Sequence, residues 1–321
     1  MLTFKLIGRD KREIPLEKVI TISFDCDLKV PADSLTITCP YDSAVRKNAD
    51  CLRAYDEDRL VFTGQIDSIV TVKRERGVIL KLSARSPAGK LLDNEAEPVT
   101  YFNPTASLIE KRHLRPFGIE LSEKDYVPYY DMLKIDKGMS HWRVLQRFCR
   151  YRYNSEPRIS GDGKAYLKGN PAKGTVTFSD TGEGIRYSSL KENMRRHSLL
   201  SEIRLKFQQA NTYSSVMKNT NPEAKSVARV RYVNAAADRT TLKTADKMFE
   251  NSNRDSYALE LRCKGCLIGI LGNTASVYDS SLGTVNGLVV RKVSYSADSR
   301  GESSVILLEK ENFDVADELH N

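Results

Sequence analysis

The sequence predicts a mainly β fold carrying a small α/β insert, and three observations support this expectation. Stretches in which apolar and polar residues alternate with period two dominate both ends of the chain. Polar turns containing glycine separate these stretches at short intervals. Between the two β-rich ends lies a block whose apolar residues recur at helical spacing.

In residues 34–39 apolar and hydroxyl side chains alternate strictly, so Leu35, Ile37 and Cys39 share one face of a pleated strand. The longer run from Leu60 to Val72 contains Gly64, and a glycine inside a strand pattern marks a bulge or a tight bend. A turn at Arg76 and Gly77 leads into residues 78–84, a suitable hairpin partner for that run. Several short, bent strands predict a small barrel domain over residues 1–97.

The character changes at Pro98, and residues 98–170 read as an α/β domain. A short helix is expected over 106–114, stopped by Pro116 and Gly118. Ser140 is the expected N-cap of a second helix, on which Trp142, Leu145, Phe148 and Cys149 form a stripe that must be buried. Arg143, Arg147 and Arg150 share its other face. A turn at Gly161 to Gly163 precedes a short strand at 165–167. Over residues 171–321 the strand alternation returns, at 203–207, 228–232 and 257–261, with one short helical excursion near 241–255. A strand at 288–293, a turn at 299–301 and a strand at 305–308 complete a second barrel.

A chain of 321 residues can bury two or three cores of its own, and 40% hydrophobic with 29% charged residues is an ordinary globular composition. Residues 1–6 alternate like a strand and show no signal-peptide pattern. The longest apolar stretch, Leu267 to Leu271, is far below the roughly 18 residues needed to span a bilayer. Six thinly spread cysteines suit reduced thiols and cytoplasmic synthesis. The net charge of +8 sits in the middle of the chain, where 15 Lys and Arg face 6 Asp and Glu between Lys137 and Lys206. Such a patch suits an acidic protein face, an anionic surface or nucleic acid, but no helix-turn-helix, zinc-finger or RNP-like pattern accompanies it.

The constellations that carry chemistry are sparse. Cys263 and Cys266 have metal or redox spacing, yet a structural zinc site needs a second ligand pair, and His113, His141, His197 and His320 are scattered along the sequence. The two cysteines are expected to bracket a Lys-Gly hairpin turn, and no metal or cofactor is expected. No nucleophile elbow or Ser-His-Asp arrangement appears. Asp25 and Asp27 would lie on one strand face beside Lys29, and Asp56, Glu57 and Asp58 in a polar turn. Acid–base work needs one carboxyl forced into an apolar pocket, which the sequence does not indicate. Asp180 to Gly184 lacks the lysine and helix of a phosphate loop and reads as a hairpin loop. The stripe of Arg143, Arg147 and Arg150 is the candidate docking surface, because planar guanidinium groups on one face suit bidentate carboxylate recognition, while the plainer alternative is a solvated helix face.

The order of these pieces resembles a known family. Val61, Gly64, Ile66 and Asp67, followed by Leu80, Leu82, Ala84, Arg85, Ser86, Leu91 and Asp93, are similar to a run found in phage tail hub proteins. The likeness continues through Pro116-Phe117-Gly118-Ile119, the helix from Trp142 to Phe148, the strand from Gly161 to Leu167 and the closing strands from Gly272 to Leu308. The family comprises the baseplate hubs of contractile phage tails and phage-tail-like bacteriocins, such as the late control protein D group.

That resemblance implies two barrels similar to the tail-tube fold flanking an α/β domain, with three copies forming a pseudo-sixfold ring that joins the tail tube to the central spike. It implies a non-enzymatic structural protein of a virion or tail-like particle, assembled in the bacterial cytoplasm. Its partners would be further copies of itself, the tube or tube-initiator protein, the spike, other baseplate components and the tape measure, with nucleic acid only passing through the lumen. The chain ends soon after the second barrel, so spike and lysozyme domains are expected on separate chains. The rival readings are a wall-degrading hydrolase using Asp25 and Asp27, and a nucleic-acid-binding protein using the basic middle.

Overall fold

A computed structural model of the chain describes residues 2–75, 77–170, 174–207, 210–235 and 239–310, with the backbone alone over 235 and 239–244. Arg76 of the expected turn, the expected boundary at 171 and His320 lie outside the described residues. The architecture is mostly β, with few helices. Two compact units are formed: Met1–Lys173 with Lys264–Gly272 and Arg291–Val305, and Gly174–Cys263 with Asn273–Val290 and Ile306–Asn321.

Seven strands open the first unit: β1 (Leu2–Gly8), β2 (Glu13–Pro15), β3 (Thr21–Asp27), β4 (Ser34–Pro40), β5 (Ala49–Asp56, after the short helix α1, Ser43–Asn48), β6 (Arg59–Arg74) and β7 (Gly77–Arg85). They pair antiparallel in the order β3-β4-β7-β6-β5-β1-β2, and the segment from Lys292 to Ala297 adds itself beside β3. Alternation decides which face is core: Phe4, Phe24, Leu35, Ile37, Leu80 and Leu82 are sealed while the residues between them are exposed or half-buried. Phe24 and Phe62 meet edge to face at 5.3 Å. Their strands are three steps apart in the sheet, about 14 Å if it were flat, so this contact requires the sheet to curl.

Gly64 sits inside β6, as the strand pattern requires, but the register shift falls two residues later, between Ile66 and Ser68. The glycine has a different cause. A Cβ there would stand 2.5 Å from the Arg85 carbonyl oxygen and from the Phe62 ring.

The α/β insert of this unit contains α2 (Ala88–Asp93), β8 (Val99–Phe102), α3 (Ala106–Ile109), β9 (Glu120–Leu121), β10 (Met132–Ile135), α4 (His141–Tyr153), β11 (Arg158–Ile159) and β12 (Lys164–Tyr166). Leu91, Ile109, Leu133, Leu145, Phe148 and Ile159 lie at its core, with Trp142 among them. Ser140 caps α4 by accepting from the Arg143 N–H at 3.3 Å, and Asn154 ends it in the left-handed region. The helix expected over 106–114 is less regular. One α turn widens into a π segment at Glu110–Leu114 and tightens into a 3-10 turn at Arg115–Phe117, because Pro116 has no N–H to continue the ladder.

The second unit and the strands that continue from it are β13 (Thr175–Ser179), β14 (Ile185–Met194), β15 (Glu202–Phe207), β16 (Ser215–Lys218), β17 (Val230–Ala235), helix α5 (Arg239–Ser256), β18 (Tyr257–Lys264), β19 (Thr274–Asp279), β20 (Gly283–Asp298) and β21 (Gly301–Lys310). The pairing order β19-β13-β14-β18-β21-β20, with β20 returning to β19, closes a six-stranded mixed barrel. Sequence alternation alone assigns 203–207 and 228–232 to the barrel. In the structure, β15 instead pairs with β16 and β17 in a separate sheet. Met194 and Tyr257 are opposite each other in β14 and β18, so the chain leaves and rejoins the barrel at one point. The excursion is therefore the whole of 195–256, with Ile203 and Leu205 packed on Ala245 and Phe249 of an 18-residue helix.

Candidate docking surface

The first run of residues that carries the family resemblance, from Val61 to Asp93, lies in the first unit. The bulge between Ile66 and Ser68 places Asp67 in β6 where Arg85, the last residue of β7, can reach it. Arg85 donates from Nε to Asp67 Oδ2 at 2.6 Å and from Nη2 to Oδ1 at 3.2 Å. It also donates from Nη1 and Nη2 to Asp93 at 3.2 and 2.6 Å, which ties α2 to the sheet and holds the Asp93 carboxyl below its usual range. Ser86 Oγ accepts the Asp33 N–H at 3.0 Å. Gln65, Lys90 and Asn94 complete a polar cleft around the bridge. Its charges are matched internally, so the cluster acts as a clamp.

A second clamp is sealed. Arg158 donates to Asp33 at 2.5 Å with both side chains almost wholly buried, and its Nη1 donates to the carbonyls of Asp27 and Val30, each at 3.1 Å. Nothing in the sequence pattern marked either residue.

The carboxylate pair Asp25 and Asp27 does share the outward face of β3, but each is engaged. Asp25 accepts from Ser294 Oγ at 2.6 Å and faces Lys292 at 3.3 Å, and Asp27 accepts from Arg291 at 2.9 Å. These pairs register β3 against the added segment. Asp56 pairs with Arg59 at 3.3 Å across its turn.

Two histidines scattered in sequence are neighbours in space. His113 Nδ1 and His141 Nδ1 lie 3.0 Å apart, with the Tyr101 hydroxyl 3.3 Å from His113 Nε2 and the Phe117 ring edge-on to His141. Burial, the facing His141 and nearby Arg112 push the His113 pKa down to about 4, and burial also lowers that of His141. Among the described residues no group of three His, Cys, Asp or Glu is placed to hold a metal ion.

Cys263 and Cys266 flank a turn at Gly265, but a 3-10 turn over Ile268–Ile270 follows in place of the expected strand. Burial raises both thiols, Cys263 to about 11, which suppresses the thiolate. The loop from Asp180 to Gly184 is not a hairpin. It joins β13 to β14, which run parallel, by a tight turn in which Ser179 Oγ accepts from the N–H groups of Thr181 and Gly182.

On α4 the three arginines differ. Arg150 is paired with Glu156 at 2.5 Å. Arg147 donates to the Lys134 carbonyl at 3.0 Å and lies over the Tyr151 ring, which stacks on Tyr129. Arg143 is exposed and its side chain has no partner among the described residues. Beside Arg147 runs an apolar surface that the sequence pattern did not single out. Phe102 and Met132 are opposite each other on the outward face of β8 and β10, 72% and 56% exposed, and Tyr126, Val127 and Tyr130 are exposed in the loop that precedes β10. Large exposed apolar groups set side by side, as Phe102 and Met132 are, mark a surface that meets another molecule.

No protein-family model matches the sequence, and no curated relative does. Solved structures do match. The chain is similar to a tail protein from Neisseria meningitidis, at 17% identity and a TM-score of 0.74, with 97% of this chain and 96% of that one covered. It is similar to the 43 kDa tail protein of prophage MuSo2 from Shewanella oneidensis, at 15% identity and a TM-score of 0.75, with 97% and 98% covered. A third similar structure is an Escherichia coli component of the type VI secretion system, itself structurally similar to the bacteriophage T4 tail proteins gp27 and gp5. There the identity is 10%, the TM-score 0.59 and the coverage 93% and 74%. The chain shares the fold of these tail and secretion-system proteins.

Proposed function

We propose that the chain is a structural hub of a phage tail or phage-tail-like particle, acting as a homotrimer whose pseudo-sixfold ring joins the tail tube to the central spike. The observation that carries this reading is the end-to-end match in fold with two tail proteins, one of them from a prophage, each covered over nearly its full length. The internally engaged charges at Asp67, Arg85 and Asp93, and at Asp25 and Asp27, agree with it, since these groups build the scaffold. The exposed apolar surface at Phe102, Tyr130 and Met132 supplies what an assembly protein needs and an isolated one avoids.

In this reading Arg143, Arg147 and Arg150 dock an acidic partner surface, with Arg143 contributing an unengaged guanidinium and Arg147 lying beside the apolar patch. The tube, the spike and other baseplate chains are the partners. Among the described residues no helix is long and apolar enough to cross a membrane.

The test is mass measurement in solution at micromolar concentration. A trimer burying well over about 2,000 Å² per interface should persist there. A monomer that also fails to associate with tube and spike chains sinks the proposal. Charge reversal at Arg143, Arg147 and Arg150 together should impair particle assembly while leaving the fold intact, and full assembly by that variant removes the docking role.

A further inference from the structure

The sheet formed by β15, β16 and β17 has α5 on one face and, among the described residues, no helix or strand packed on the other. Two complete rows cross the open face: Lys218, Glu202 and Val230, then Val216, Arg204 and Tyr232. In the next row Lys206 lies over the Tyr213 ring at 6.0 Å, and Tyr213 meets Tyr232 edge to face at 5.1 Å. Tyr232 is 58% and Val216 46% exposed. Glu202 pairs with Arg204, so Lys206 and Lys218 have no carboxylate partner among the described residues. Residues 195–256 as a whole carry 12 Lys and Arg against 6 Asp and Glu. The face is an aromatic and aliphatic centre in a basic frame.

The chain contains one segment with the complementary pattern. Residues 311–321 hold four carboxylates, Glu311, Asp314, Asp317 and Glu318, and no Lys or Arg. Phe313, Val315 and Leu319 fall on one face of an extended reading of this segment, framed there by Glu311 and Asp317, with Asp314 and Glu318 on the other. The segment follows directly on Lys310, whose ammonium lies 5.1 Å from the centre of the Tyr257 ring. Tyr257 is the residue at which 195–256 rejoins the barrel. Eleven residues can extend about 36–40 Å, several times the roughly 10 Å across three paired strands. Reach, charge and apolar spacing therefore agree.

We propose that residues 311–321 dock in extended form on the open face of the β15–β17 sheet of their own chain, Phe313 and Val315 covering Val216 and Tyr232 and the carboxylates of Glu311 and Asp317 lying among Lys206, Arg204 and Lys218.

The experiment compares the full chain with one ending at Lys310, each titrated with a fluorescent peptide of residues 311–321. The shortened chain should bind the peptide, and the full chain at least tenfold more weakly, because its own copy competes. A peptide carrying Glu311→Gln and Asp317→Asn should bind the shortened chain at least tenfold more weakly, and that change leaves the folded partner untouched. Tyr232→Ala in the shortened chain should act in the same direction. The proposal is overturned if the shortened chain does not bind, if the neutralised peptide binds as well as the acidic one, or if the full chain binds as tightly as the shortened one. A self-association present in the full chain and lost on shortening places the segment on a neighbouring copy and overturns docking within one chain.

Discussion

Arg85 grips Asp67 with two parallel hydrogen bonds, Nε to Oδ2 at 2.6 Å and Nη2 to Oδ1 at 3.2 Å, and the same guanidinium closes on Asp93. The bridge is more than a third exposed, so solvent screening reduces its value well below that of a buried pair. Two carboxylates on one planar donor nevertheless make a network, and Arg85→Ala should cost about 1–2 kcal/mol. Arg85→Lys should recover little of it, since an ammonium cannot fork to both partners. Urea unfolding monitored by circular dichroism measures the effect, and an unchanged midpoint for Arg85→Ala refutes the clamp.

Arg158 and Asp33 behave differently because water is excluded from both. Removing one partner strands a buried charge, so Asp33→Ala or Arg158→Ala should each cost about 3–5 kcal/mol. The double variant should cost clearly less than the two single losses combined, because neither charge is then left alone. A double-mutant cycle in urea checks this, and simple additivity would show that the two groups do not act as a pair.

Much of the fold is legible in the sequence because side-chain alternation reports burial directly. The faces of β3, β4 and β7, the N-cap Ser140 and the buried stripe of α4 all follow from it. What alternation does not encode is which strand pairs with which. The stretches at 203–207 and 228–232 have the pattern of barrel strands, but the strands there, β15 and β17, form their own sheet, since a half-buried strand looks the same whether a helix or a barrel covers it. The motif residues Asp67, Arg85 and Asp93 were visible as a resemblance, and only the bulge at Ile66 and Ser68 explains why those three charges belong together. The apolar surface at Phe102 and Met132 escaped notice because an exposed hydrophobic residue carries no local signature. It becomes a surface only when β8 and β10 align it.

The histidine pair predicts an acid-labile insert. His113 is almost fully buried and its folded pKa lies at about 4, against 6.5 for an ordinary imidazole. The unfolded chain therefore binds more protons than the folded one between these values. The stabilising contribution is fully present above about pH 6.5 and is lost as the pH falls toward 4, up to about 3 kcal/mol for His113 alone. His141 is lowered in the same direction and adds to the loss. Facing the pair are Tyr101, Phe117 and the cationic Arg112, which offers a second proton no counter-charge. The urea midpoint should fall between pH 7 and pH 5, and His113→Gln with His141→Gln should flatten that dependence. An equally steep fall in the double variant would assign it to other groups.

Gly161 predicts a severe substitution of a different kind, a collision of backbone with backbone. The Thr63 N–H donates to the Gly161 carbonyl at 2.8 Å, which brings the turn before β12 directly against β6. A Cβ on Gly161 would collide with the Val61 carbonyl oxygen, a backbone atom that cannot swing aside. Gly163, two residues on, holds a φ of 87°, so the same turn also needs a left-handed residue. Gly161→Ala must either break the hydrogen bond to β6 or shift the strand that carries Gly64 and Asp67, and should cost about 3 kcal/mol or more. Gly163→Ala meets only ordinary contacts, at 3.7 Å from Pro87, and should cost about 1 kcal/mol through its backbone angle alone. Thermal unfolding of the two variants side by side separates collision from strain. Equal losses would mean that close packing against β6 is not what fixes glycine at 161.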